Sequence, residues 1–114
     1  MNKEQVTLAR DAFRSVGYTG FTRASDAVRI VGPGKFGERL AVHSEGGEYV
    51  VYLRMGGKRV LSAKSLLISE VHPRVRAHPD ALALPSLTPK ELPGVLSRLV
   101  KALPRISAKV SLGA

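Results

Sequence analysis

The sequence predicts an α+β fold: an N-terminal helix packed on a four-stranded antiparallel meander, then a Pro-rich arm and a C-terminal amphipathic helix. Three observations predict it. Apolar residues near the start recur at helical spacing, the middle of the chain alternates with period two between glycine pairs, and the prolines crowd the last third. With 114 residues, 44% of them hydrophobic and 24% charged, the chain has material for one globular core and little for a second. No segment repeats at a fixed period, which excludes a solenoid.

The first helix is expected over residues 3–16. Asn2 is placed to cap it, Gln5 completes a capping box, and Gly17 stops it. At helical pitch Val6, Ala9, Phe13 and Val16 share a face that must be buried, and Lys3, Thr7, Arg10 and Arg14 form a cationic stripe beside it.

Four strands are expected at residues 28–31, 38–44, 48–55 and 58–62. Gly46-Gly47 and Gly56-Gly57 each supply two residues tolerant of positive φ, as two-residue hairpins require. That loop length sets a register. Glu45 pairs with Glu48, so Val42 faces Val51 and Leu40 faces Leu53; Met55 pairs with Lys58, so Leu53 faces Val60. Val28 and Ile30 join the same apolar side if the loop from Gly32 to Gly37 holds Val31 opposite Arg39. A slip of one residue would turn every side chain over, so the agreement of three hairpins on one apolar face supports the sheet.

The same register sets Arg39, Arg54 and Arg59 side by side on the other face, with Arg29 and Tyr52 one step along and His43 a neighbour. Like charges directly opposite one another destabilise a sheet by about 0.2–1 kcal/mol per pair. An arginine ladder therefore calls for screening, by solvent and Glu38, or for a bound anion.

Residues 62–71 suit a short helix through Ala63, Leu66, Leu67 and Val71, or a buried strand through Leu66-Leu67-Ile68. Residues 72–79 are extended, because each proline keeps its predecessor out of the α region, and 80–87 read as a connector. Thr88-Pro89-Lys90-Glu91 is a capping-box pattern, so the last helix begins there or at Pro93 and ends at Leu103, before Pro104. Its apolar stripe, carried by Leu96, Leu99, Val100 and Leu103, docks on the core or reaches a partner. A boundary near His72 separates a compact core, 1–72, from a Pro-punctuated arm, 73–114, within one domain.

The absence of cysteine excludes a disulfide framework and a thiol nucleophile. His43, His72 and His78 lack ligand spacing and the nine acids are scattered, so no metal, cofactor or carboxylate-pair chemistry is expected. Gly32, Gly34 and Gly37 fit the bare G-x-G-x-x-G spacing but lead into a strand rather than a helix; Lys35 and Phe36 stand at the loop's tip. No apolar run approaches the length of a spanning helix and the start is polar. A soluble, cytoplasmic protein with no membrane partner is expected, its incorporation into a larger particle left open.

Eighteen Lys and Arg against nine Asp and Glu give a net charge of +9, which biases encounter toward anionic partners. The expected function is non-enzymatic binding of nucleic acid, DNA or RNA, by phosphate recognition with little sequence specificity. The contacts expected are Arg29, Lys35, Arg39, Tyr52, Arg54, Lys58 and Arg59, helped by Arg10 and Arg14. One alternative is an assembly component, such as a virion or complex subunit or an inhibitor of a nucleoprotein enzyme, which self-associates or takes a protein partner through the arm. Another is a metal-independent ribonuclease with His43 or Tyr52 as acid or base.

Overall fold

A computed structural model describes residues 1–112 and has the expected α+β architecture. Helix α1 (Lys3–Ser15) starts where its cap dictates: the Asn2 side chain accepts the Gln5 N–H and the Gln5 side chain accepts the Asn2 N–H, each at 2.9 Å. Gly17, at φ 99°, takes the left-handed conformation that ends the helix. Val6, Ala9, Ala12 and Phe13 form its buried face.

The sheet has six antiparallel strands: β1 (Phe21–Ala24), β2 (Ala27–Ile30), β3 (Arg39–Glu45), β4 (Glu48–Arg54), β5 (Arg76–Ala77) and β6 (Leu82–Leu87). Their order is β1-β2-β3-β4-β6-β5. The β3–β4 hairpin pairs in the register its turn requires, with Glu45 opposite Glu48, Val42 opposite Val51 and Leu40 opposite Leu53. Gly46 and Gly47 both have positive φ, 59° and 82°, which matches the right-handed twist of the flanking strands. β2 adds Val28 opposite Val42.

Two sequence expectations are corrected at the far side of β4. The segment expected as a fourth strand over 58–62 is a 3-10 helix (Gly57–Ala63) that runs into α2 (Lys64–Glu70), the helical one of the two readings open for residues 62–71. Gly56 and Gly57 do have positive φ, yet the chain turns inward after them and fully buries Val60 and Ala63. The edge of β4 is taken instead by β6, within the stretch expected to be a connector, with Leu82 opposite Leu53 and Leu84 opposite Val51. Pro85 is tolerated there because the strand bulges: three steps from Leu84 to Leu87 oppose two from Val51 to Tyr49, and Ser86 sits at φ 57°. β1 is a further strand not foreseen, joined to β2 through the two-residue turn Ser25-Asp26.

Helix α3 (Glu91–Leu112) is capped as its sequence predicts. The Thr88 hydroxyl accepts the Glu91 N–H at 3.3 Å, and the Glu91 carboxylate accepts the Thr88 N–H at 3.0 Å, a bond that holds the Glu91 carboxyl below its usual range. The helix does not stop at Pro104 but continues through it to Leu112, with the ring on the exposed side. Arg105 pairs with Glu70 and ties α3 to α2. Leu96, Leu99 and Leu103 are buried in the core and Val100 is half-buried against it, so of the two roles expected for the stripe, docking on the core or reaching a partner, it takes the first. Residues 73–112 thus supply β5, β6 and α3 to the same core as the N-terminal segment rather than forming an arm. Among the described residues no helix is long and apolar enough to cross a membrane.

Candidate functional site

Side chains alternate across a strand, so the sheet has two faces of opposite character. Val28, Ile30, Leu40, Val42, Val51, Leu53, Leu82 and Leu84 point into the core shared with all the helices. On the other face one register row crosses all six strands: Thr22, Arg29, Ala41, Tyr52, Ala83 and Arg76. One step toward the Gly56 end, Arg39 lies opposite Arg54; one step the other way come Ala27, His43 and Val50. Ala27, Ala41 and Ala83 are buried but belong to no core cluster, so they form a low floor between long side chains. The result at Ala41 is a cleft of about 250 Å³ walled by Arg29, Arg39, Tyr52 and Arg54. A second cleft of about 260 Å³ is walled by Arg29, His43, Tyr52, Arg54 and His78.

The charges on this face are poorly compensated. Arg54 donates from Nε to Asp80 at 3.3 Å, but neither Arg29 nor Arg39 has an ion pair among the described residues. Glu38, expected as a screening neighbour, lies instead on the core side at 2% exposure. Its carboxylate accepts the Tyr18 hydroxyl at 2.6 Å and the Phe36 N–H at 2.8 Å, and so organises the loop between β2 and β3. Burial and then the Glu38 carboxylate push the Tyr18 hydroxyl well above the usual phenol range.

Tyr52 leans along β4, its hydroxyl donating to Glu45 at 3.3 Å. His43 and His78 stand edge-on beside it, with ring centroids 4.8 and 5.2 Å away and planes at 73° and 61°. Val50, opposite His43 on the open face, is 2% exposed. His43 is held below its usual pKa, first by burial and then by Arg29; Arg54 adds to the depression, while Glu45 and Asp26 oppose it.

Of the residues expected to bind, Arg29, Arg39, Tyr52 and Arg54 come together here, and His43 joins them. Arg76 and His78 complete the face and were not nominated; the extended reading of residues 72–79 held their only signal. Lys35 lies in the β2–β3 loop, its Nζ 5.8 Å from the Phe36 ring centroid. Lys58 and Arg59 are not on this face, because their segment is helical; Arg59 lines a different cleft with Phe36, Ser107 and Val110. Arg10 and Arg14 lie on α1, on the helical side of the sheet, where Arg14 pairs with Asp11 at 3.2 Å. Among the described residues no three His, Asp or Glu side chains converge as a metal ion would require. Compared with family models, curated proteins and solved structures, the chain matches none.

Proposed function

We propose that the chain binds nucleic acid through the open sheet face, by phosphate recognition with little sequence specificity. The observation that carries this reading is the convergence of Arg29, Arg39 and Arg54 on the Ala41 floor, where one carboxylate, Asp80, pairs with Arg54 alone. Two arginines held opposite each other, one without a counter-charge, are an arrangement that a bound phosphate relieves. Phosphate contacts position a ligand and carry no base identity, hence the low specificity.

The test is fluorescence anisotropy with mixed-sequence oligonucleotides across a salt series. With four arginines on the face, the slope of log K against log salt is expected at roughly −2 to −4. Arg39→Glu/Arg54→Glu abolishes binding near physiological salt, whereas Arg59→Glu, equal in charge change per site but off the face, leaves most of it. Equal losses from the two positions would mean that net charge alone is responsible, and absence of binding by the wild type at low salt would end the reading.

A further inference from the structure

We infer that the strand form recognised is single-stranded, one extended phosphate backbone running along β3 and β4 with a base against the Tyr52 ring group. This rests on the nucleic-acid reading above and adds the class of ligand. Three clefts lie in file on the open face, and Arg54 borders each. The first, about 230 Å³, is at the Gly56-Gly57 end; the second is the Ala41 cleft; the third holds His43 and His78. The file follows β3, where Arg39, Ala41 and His43 are successive residues on this face. Each is two positions from the next, a step of about 6.8 Å, which is the step of an extended phosphodiester backbone.

One track suits one strand. A duplex brings two phosphate rows and asks for a second line of cations, yet beyond Tyr52 the face offers Ala83 and a single cation in the same row, Arg76. The aromatic rings point the same way. Base stacking on aromatic side chains is open to unpaired bases, whereas duplex bases are already stacked on one another. Three rings clustered at one end of the arginine track, beside Arg29 and Arg54, set an aromatic surface next to phosphate-binding cations, the combination that non-sequence-specific single-strand binders use.

The experiment compares a labelled oligothymidylate with a hairpin duplex of equal phosphate number, using wild type, Tyr52→Leu, Tyr52→Phe and His43→Ala. The single strand is expected to bind wild type at least about tenfold tighter. Tyr52→Leu should lose roughly 5- to 100-fold on the single strand while its duplex affinity, which also reports that the variant is folded, stays unchanged. Tyr52→Phe keeps the ring and stays close to wild type, and His43→Ala repeats the ring test if Tyr52→Leu does not fold. Duplex binding as tight as single-strand binding, with the same dependence on Arg39 and Arg54, overturns the strand form and leaves nucleic-acid binding standing. An unchanged single-strand affinity in Tyr52→Leu or in His43→Ala overturns it too. If wild type binds neither ligand, both readings fall.

Discussion

Gly34→Ala probes how tightly the buried Glu38 carboxylate holds the β2–β3 loop. Gly34 has no positive φ, so alanine suits its backbone and on that ground alone would stabilise by about 0.4–1 kcal/mol. Space decides otherwise: a Cβ at Gly34 would stand 2.1 Å from one Glu38 carboxylate oxygen, 2.3 Å from its carbon and 2.6 Å from the other oxygen. That carboxylate cannot swing aside cheaply, because it is 2% exposed and accepts the Tyr18 hydroxyl and the Phe36 N–H. Hydrogen bonds to a charged group contribute about 1.5–3 kcal/mol each. With partial relaxation we expect a net loss of about 3 kcal/mol, and a fall in Tm of about 10–15 °C for a domain of this size. Denaturant and thermal unfolding of Gly34→Ala, Glu38→Ala and the double variant close a mutant cycle. On the Glu38→Ala background the added methyl meets no carboxylate, so its further cost is expected below about 0.5 kcal/mol. A Gly34→Ala protein as stable as wild type, or strictly additive losses, would refute the packing argument.

Pro104 forfeits the backbone bond that the Val100 carbonyl would otherwise accept within α3, and its ring is exposed. Pro104→Ala is expected to raise stability by about 1–3 kcal/mol; an unchanged or lower denaturation midpoint would show that the helix does not run through it. His43 in the free protein is expected to titrate below its ordinary value near 6.5 in a pH series followed by NMR, since burial and Arg29 both disfavour its charge. A depressed folded pKa means that its contribution to stability is complete above about 6.5 and is lost as pH falls through the folded value. Oligonucleotide bound on the face offsets the Arg29 and Arg54 fields and shifts the His43 titration upward, so affinity strengthens as pH falls. A free-state titration at or above 6.5 contradicts the arrangement.

Much of the fold and half of the site could be read from residues close together in the chain. Asn2, Gln5 and Gly17 bound α1, Thr88 and Glu91 cap α3, and Gly46-Gly47 pins β3 against β4. From that one turn it follows that Arg39 faces Arg54 and that Tyr52 stands beside Ala41, so the centre of the candidate site needs no tertiary contact to be placed. Caps and two-residue turns are made by groups within a few positions of one another, and their geometry survives whatever the rest of the chain does.

The other half was a contest that no local pattern settles. Residues 58–62 and 82–87 both offered apolar side chains to the free edge of β4, and Gly56-Gly57 permitted a hairpin without requiring one. The outcome placed Leu82 and Leu84 beside Leu53 and Val51, and sent Val60 and Ala63 under α3. Pro85 disguised the winning strand by demanding a bulge, and β6 lacked the usual alternation because Ala83 is buried on the open face as well. That outcome removed Arg59 from the arginine face and brought Arg76 and His78 onto it. Local geometry in the sequence thus determined the β3–β4 hairpin and its arginine pair. Which residues join that pair beyond the β4 edge was decided by tertiary structure alone, since it depends on comparing two distant burials for a single strand edge.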